Sequence, residues 1–322
     1  MGVIHRHLEA STPLLNADAG VEKWNAAAKA LYDLYTELAD PHGLEQQKEQ
    51  RKSRLLGNGM AISPHLAGRC LLEGVRSARF LQAVERALEE LRGRFETPRV
   101  LYAGCGPYAP LLLPIAARLP EGAVEITLLD IHPEGVASVK RLVEALKLDN
   151  HIAHIECRDA ATYRVPMNEE PHLVVSETMM RALTSEPQAA ITLNLAAQMH
   201  PEGLFIPERI TIGGALALSH IEFSPSGQPD PDRIPLGPLF ELDRYTPADA
   251  ETELSLPEGC HPEHVLLYTT EIRLFGDIAL REYETGLTTP MVYPLVGAPE
   301  PGRRLRFSYR YDHQPELVCE YP

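Results

Sequence analysis

Val100-Leu101-Tyr102-Ala103-Gly104-Cys105-Gly106-Pro107 is the stretch on which the fold turns. Its apolar run suits a short buried strand, and glycines at the strand's end let the backbone turn tightly and approach a ligand closely. Onward, a helical stretch from Leu111 to Leu119 precedes a strand from Val124 to Asp130. A helix from Pro133 to Leu148 then precedes a strand from His151 to Cys157. Another strand spans Leu173 to Ser176, followed by a helix over 186–200 and by Gly203-Leu204-Phe205-Ile206-Pro207. Strands and helices alternating at this length predict a parallel sheet covered on both faces.

Upstream, Val21, Trp24, Leu31, Leu34, Tyr35 and Leu38 recur at helical spacing and predict a helix ending near Asp40-Pro41. A second helix is expected over about 65–94, with Gly93 near its end. Beyond Pro207, strand-like runs cover Arg209 to Leu218, Val265 to Phe275, Leu305 to Tyr311 and Leu317 to Tyr321, with no long helix between them. The Pro-, Asp- and Glu-rich stretch 224–262 reads as an insertion. The expected organisation is therefore an N-terminal helical segment over 1–95, an α/β unit over 96–207, and a mainly antiparallel, β-barrel-like unit over 208–322.

Composition narrows the function. With 322 residues, 44% of them hydrophobic, the chain can bury more than one core. No apolar run is long enough to cross a bilayer, and residues 1–20 lack the apolar core of a signal peptide, so a cytoplasmic protein is expected. Five scattered cysteines without a Cys-x-x-Cys pair argue against a disulfide framework and against a zinc site. A net charge of −15 repels phosphate backbones, which excludes nucleic acid as the natural partner and favours cationic substrates. Most of that acidity also serves solubility.

Ligands of open parallel sheets bind beyond the carboxyl ends of the strands. Gly104-Cys105-Gly106 lies at one such end; taken alone, a Gly-x-Gly is equally an ordinary tight turn. Three acids strengthen it. Asp130 closes the second strand, where a carboxylate can accept two ribose hydroxyls. Asp159, with Ala160 beside it, follows the third strand, where an acid can accept the adenine amine. Glu177 follows the fourth. The turn continues Pro107-Tyr108-Ala109, with no third glycine and no Lys-Ser/Thr to cradle phosphates. The simplest ligand with a ribose and an adenine but no phosphate is S-adenosylmethionine (SAM).

These residues resemble the class I SAM-dependent methyltransferases, and more narrowly the protein arginine methyltransferase family. The resemblance is carried by Val100 to Pro107, by Leu128-Leu129-Asp130, by Val174-Val175-Ser176-Glu177, and by Leu204-Phe205-Ile206-Pro207-Glu208 at the handover to a β-barrel. It implies a Rossmann-like SAM-binding domain over 96–207 and a dimer, with 224–262 as the candidate arm. In Glu73-Gly74-Val75-Arg76 it marks Arg76 as the residue that pairs with the SAM carboxylate; a solvent-facing helix arginine is the alternative. Two positions depart from the family: Tyr102 replaces its usual acid and Tyr108 its third glycine.

Ser176-Glu177-Thr178-Met179-Met180-Arg181-Ala182-Leu183-Thr184-Ser185-Glu186 carries two glutamates nine residues apart. This is similar to the family's double-glutamate loop. A guanidinium presents donors in a planar fork that carboxylates match, so Glu177 and Glu186 are the expected catalytic pair. Alone, Glu186 would read as the N-terminal acid of the next helix. The family's Thr-His-Trp loop has as its counterpart Gly286-Leu287-Thr288-Thr289-Pro290, without His or Trp. That speaks against a peptide groove and for a small guanidino substrate, lidded by residues 1–60. The chain also resembles the free-arginine N-methyltransferases of natural-product pathways, implying free L-arginine or a relative as acceptor. A protein arginine methyltransferase, and a catalytically silent SAM-binding partner subunit, are the competing readings.

Overall fold

The computed structural model describes residues 2–39, 51–224, 229–295 and 297–321. Two antiparallel helices open the chain, α1 (Val3–Leu15) and α2 (Val21–Ala39). The predicted end of the second at Asp40-Pro41 lies outside the described residues. A hairpin of β1 (Arg54–Leu56) and β2 (Gly59–Ala61) follows, turning at Gly57-Asn58, and is absent from the expectations above.

The single helix expected over 65–94 is two. Ser63 caps α3 (Pro64–Cys70), with Pro64 in its first turn, and α4 runs from Gly74 to Arg92. The break at Leu71–Glu73 has a packing cause. A Cβ on Gly74 would lie 2.6 Å from the Asn25 backbone nitrogen, so α4 begins where α2 crosses it at backbone contact. Both helix ends at this break face the site described below.

The parallel sheet contains β3 (Arg99–Ala103), β4 (Glu125–Asp130), β5 (Ile152–Cys157), β6 (Leu173–Ser176) and β7 (Leu204–Ile206). Their order is β5-β4-β3-β6-β7, every neighbouring pair parallel. Helices α5 (Leu113–Ala116), α6 (Pro133–Leu146) and α7 (Gln188–Ala196) alternate with the strands, and α5 is much shorter than Leu111 to Leu119 suggested. The order reverses at β3, so its carboxyl end is the switch point where ligands bind.

After Pro207 the chain becomes antiparallel: β8 (Arg209–Ala217), a short α8 (Ser219–Glu222), β9 (Ile234–Asp243), β10 (Glu251–Ser255), β11 (Val265–Phe275), β12 (Ile278–Leu280), β13 (Met291–Tyr293), β14 (Arg304–Arg310) and β15 (Glu316–Glu320). One sheet runs β12-β11-β8-β9 with β13 on β11; the other runs β10-β14-β15. Phe240 stacks on Tyr309 and Tyr268 meets Phe307 edge-on across the gap between them.

The 224–262 stretch is corrected here. It is not an appendage, because β9 pairs with β8 and β10 with β14. Pro235 and Pro238 hid β9: proline cannot donate to a ladder, but β9 is an edge strand and its register shifts opposite both. Residues 225–228 of the stretch lie outside the described residues. One buried apolar cluster runs from Leu14 through the parallel sheet to Leu317, so the helices, the α/β unit and the strand-rich unit share a core.

Candidate functional site

The carboxyl ends of β3, β4 and β6 open into a cavity of about 580 Å³. Its wall includes all eight residues singled out from the sequence: Arg76, Gly104, Gly106, Asp130, Asp159, Ala160, Glu177 and Glu186.

At one end the glycine turn is held against β4, with the Gly104 and Cys105 N–H groups both donating to the Leu129 carbonyl at 2.9 Å. Gly104 has φ +73°, and a Cβ there would lie 2.2 Å from Thr178 Cγ2. Only glycine fits. Asp130 is buried, its Oδ2 accepting the Gly106 N–H (2.9 Å) and its Oδ1 the His132 N–H (2.8 Å). Burial pushes its pKa up, against those two donors. Each oxygen still has lone-pair capacity for a ligand. Asp159 Oδ1 accepts the Ala161 N–H (2.9 Å), and Ala160 is buried between them in sequence.

The two departures from the family pattern have separate fates. Tyr102 lines the cavity, and burial holds its phenol well above the ordinary range, so it is neutral. Tyr108 is fully buried, its ring against Tyr32 and Tyr35 and its hydroxyl 3.0 Å from Thr36 Oγ1. It packs the glycine turn onto α2.

At the other end Arg76 donates to Glu177 Oε2 through Nη2, and through Nη1 to Glu73 Oε2 at 3.2 Å. Glu177 Oε1 is buried without a partner among the described residues. Burial raises the Glu177 pKa while Arg76 opposes the rise. Glu186 is 7% exposed. Burial first, and the neighbouring Glu177 charge second, push its carboxyl up to about 8, with Arg76 opposing. Two carboxylates thus share one desolvated region with a single buried cation.

The loop joining them is strained and clamped. Ala182, Leu183 and Ser185 have φ of 53°, 53° and 68°, a conformation costing about 1–2 kcal/mol for each L-residue. Four hydrogen bonds from other segments hold it there. Ala182 N–H donates to Thr270 Oγ1 (2.9 Å), Tyr309 O–H to the Leu183 carbonyl (2.5 Å), and Ser185 N–H to the Pro315 carbonyl (2.8 Å). Met60 N–H donates to the Ser185 carbonyl (2.7 Å), where a Cβ on Gly59 would collide at 2.8 Å. Buried Gln188 secures the strand end, its Oε1 accepting the Thr178 N–H (2.9 Å) and hydroxyl (3.0 Å). The strand-rich unit and the hairpin therefore set the geometry of the glutamate loop.

Several of these residues escaped the sequence reading. Glu73 couples Arg76 to the Gly286 N–H, which it accepts at 3.2 Å. Gly286 and Leu287 line the cavity, so the expected 286–290 counterpart loop does sit beside the site. His132 is 4% exposed, lines the cavity, and has an Nε2 without a partner among the described residues. Thr270, Tyr309 and Gln188 carry no local signal at all. Of residues 1–60, expected as a lid, Leu56 lines the cavity, while 40–50 lie outside the described residues.

The fold and cavity define a class: a Rossmann-like α/β domain joined to a β-barrel-like domain, with a ligand cavity at the parallel sheet's switch point. Two solved arginine methyltransferase structures share that fold. The Trypanosoma brucei PRMT1 enzyme–prozyme heterotetrameric complex with AdoHcy is similar at 13% identity, over 78% of this chain and 92% of that one, with a TM-score of 0.50. Protein arginine methyltransferase 10 of Arabidopsis thaliana, in a uniquely open conformation, is similar at 16% identity, over 76% and 89%, with a TM-score of 0.52. No family model matches the chain, and no curated protein matches its sequence. Among the described residues no helix is long and apolar enough to cross a membrane.

Proposed function

We infer that this chain is a SAM-dependent N-methyltransferase acting on a guanidino group, with free L-arginine or a related small molecule as acceptor. One observation carries the reading. Buried Glu186 and the 9%-exposed Glu177 side chain line the same cavity as Gly104, Gly106, Asp130 and Asp159.

The residues present fit SAM. Gly104 and Gly106 line the cavity without side chains of their own, Asp130 retains acceptor capacity for ribose hydroxyls, and Asp159 offers the same to an adenine amine. Arg76 has remaining N–H groups for a carboxylate. When bound, SAM supplies an electrophilic methyl group on a sulfonium. The chain's own residues do the rest. Glu177 and Glu186 hold the guanidinium plane, draw its charge toward their side and leave one nitrogen facing the cofactor end. Rate then comes from alignment and fixed charges in a dry site. Either glutamate can take the proton that the nitrogen loses.

The fold neighbours support this reading, since both are named as arginine methyltransferases and one is described with AdoHcy. They also bring the rival acceptor, a protein arginine, into view. A homodimer is part of the proposal and is read by sedimentation. The deciding test is incubation with methyl-labelled SAM and either L-arginine or an Arg-Gly-rich peptide. Label in the free amino acid supports the proposal; label in the peptide alone moves the acceptor to protein; label in neither refutes guanidino transfer.

A further inference from the structure

The charges lining the cavity are not all negative. Glu73, Glu177 and Glu186 face it, and buried Arg76 is already engaged with two of them. Besides Arg158, whose Nε lies 3.7 Å from Glu156, two further guanidinium groups line the same cavity: Arg69, in the last turn of α3, and Arg181, in the strained loop between the two glutamates. Both are exposed, and neither side chain has a hydrogen-bond or ion-pair partner among the described residues. Their backbones are fixed, since the Arg69 carbonyl accepts the Leu72 N–H (2.9 Å) and the Arg181 carbonyl the Thr184 hydroxyl (3.0 Å).

Two exposed cations with no partner among the described residues disfavour entry of a guanidinium into the cavity they line, because like charges across a recognition surface repel. The cost is recovered if the substrate carries an anion at its other end. An arginine guanidinium matches a carboxylate in a planar fork, which is the recognition these two side chains can offer. Leu66 and Met180, 48% and 46% exposed, line the cavity beside them and can cover an aliphatic stem.

Resting on the guanidino reading above, we propose that Arg69 and Arg181 bind the carboxylate of a free guanidino acid, making the site selective for a zwitterion. An Arg-rich peptide, cationic along its length, meets repulsion where a free amino acid meets a salt bridge. Arg76, buried against Glu177, is left for the cofactor.

The test compares L-arginine with agmatine, which keeps the guanidine and the amine and lacks the carboxylate. Wild-type protein is expected to favour L-arginine by about tenfold or more in kcat/KM. Arg69→Gln and Arg181→Gln should each raise KM for L-arginine, bring that ratio toward unity, and leave AdoHcy affinity measured by calorimetry unchanged. Equal use of both compounds by the wild type overturns carboxylate recognition and leaves guanidino methylation standing. Loss of AdoHcy binding in the variants also overturns it, by assigning the arginines to the cofactor. Transfer to neither compound overturns both readings.

Discussion

Arg76 and Glu177 form an ion pair whose side chains are only 11% and 9% exposed. It joins the start of α4 to the end of β6, and Glu177 Oε1 is a buried acceptor with no partner among the described residues. Arg76→Met strands a buried carboxylate. Breaking a buried pair by removing one partner costs about 3–5 kcal/mol, less where the carboxylate can take up a proton. Urea unfolding should therefore show a large loss at pH 8 and a smaller one at pH 5. A variant as stable as the wild type at pH 8 would contradict the pairing.

Glu186 gives a pH signature. Its folded pKa of about 8 lies above the ordinary 4.5, so between those values the folded chain holds a proton that the unfolded chain has released. The group is neutral to stability below pH 4.5, and its contribution becomes steadily less favourable as pH rises through the window. Glu186→Gln should remove that slope and stabilise the ligand-free protein at pH 8, by on the order of a few kcal/mol. Guanidinium binding reverses the preference. Calorimetry at pH 7 in two buffers of different ionisation enthalpy should show release of about one proton per site. Binding without proton release would remove Glu186 from the guanidinium site.

The clamp on the glutamate loop is separable from cofactor binding. Tyr309→Phe and Thr270→Val each delete one hydrogen bond to a backbone held at positive φ. Each should cost about 1 kcal/mol of stability. Because reacting atoms must stay aligned, turnover should fall about tenfold while AdoHcy affinity holds. Unchanged turnover in both variants would reduce the clamp to a packing detail.

The pattern of what could be read from the sequence follows from where each signal is stored. Gly104, Gly106, Asp130 and Glu177 lie at strand ends, which the periodic strands announce, and Glu186 is found from its nine-residue spacing to Glu177. Arg76 was identifiable through its segment, but its pairing with Glu177 spans 101 residues and needs the fold. Thr270 and Tyr309 act through a contact between units, so nothing in their own neighbourhoods marks them. The break between α3 and α4 was hidden because apolar spacing continues through Leu71 and Leu72, while its cause is Gly74 meeting α2. Strand β9 was masked by prolines that only an edge position tolerates.

The central claim, that Glu177 and Glu186 together hold a guanidinium for methyl transfer, is tested most directly by charge-removing variants that keep shape. Glu177→Gln and Glu186→Gln should each lower turnover on the guanidino substrate by about a hundredfold or more, the cost of half-pairing a desolvated cation. The double variant should fall little below the worse single one, since the two act as one clamp. AdoHcy affinity should remain near that of the wild type throughout. Near-normal turnover in both single variants would contradict the claim and leave the acceptor of this cavity unassigned.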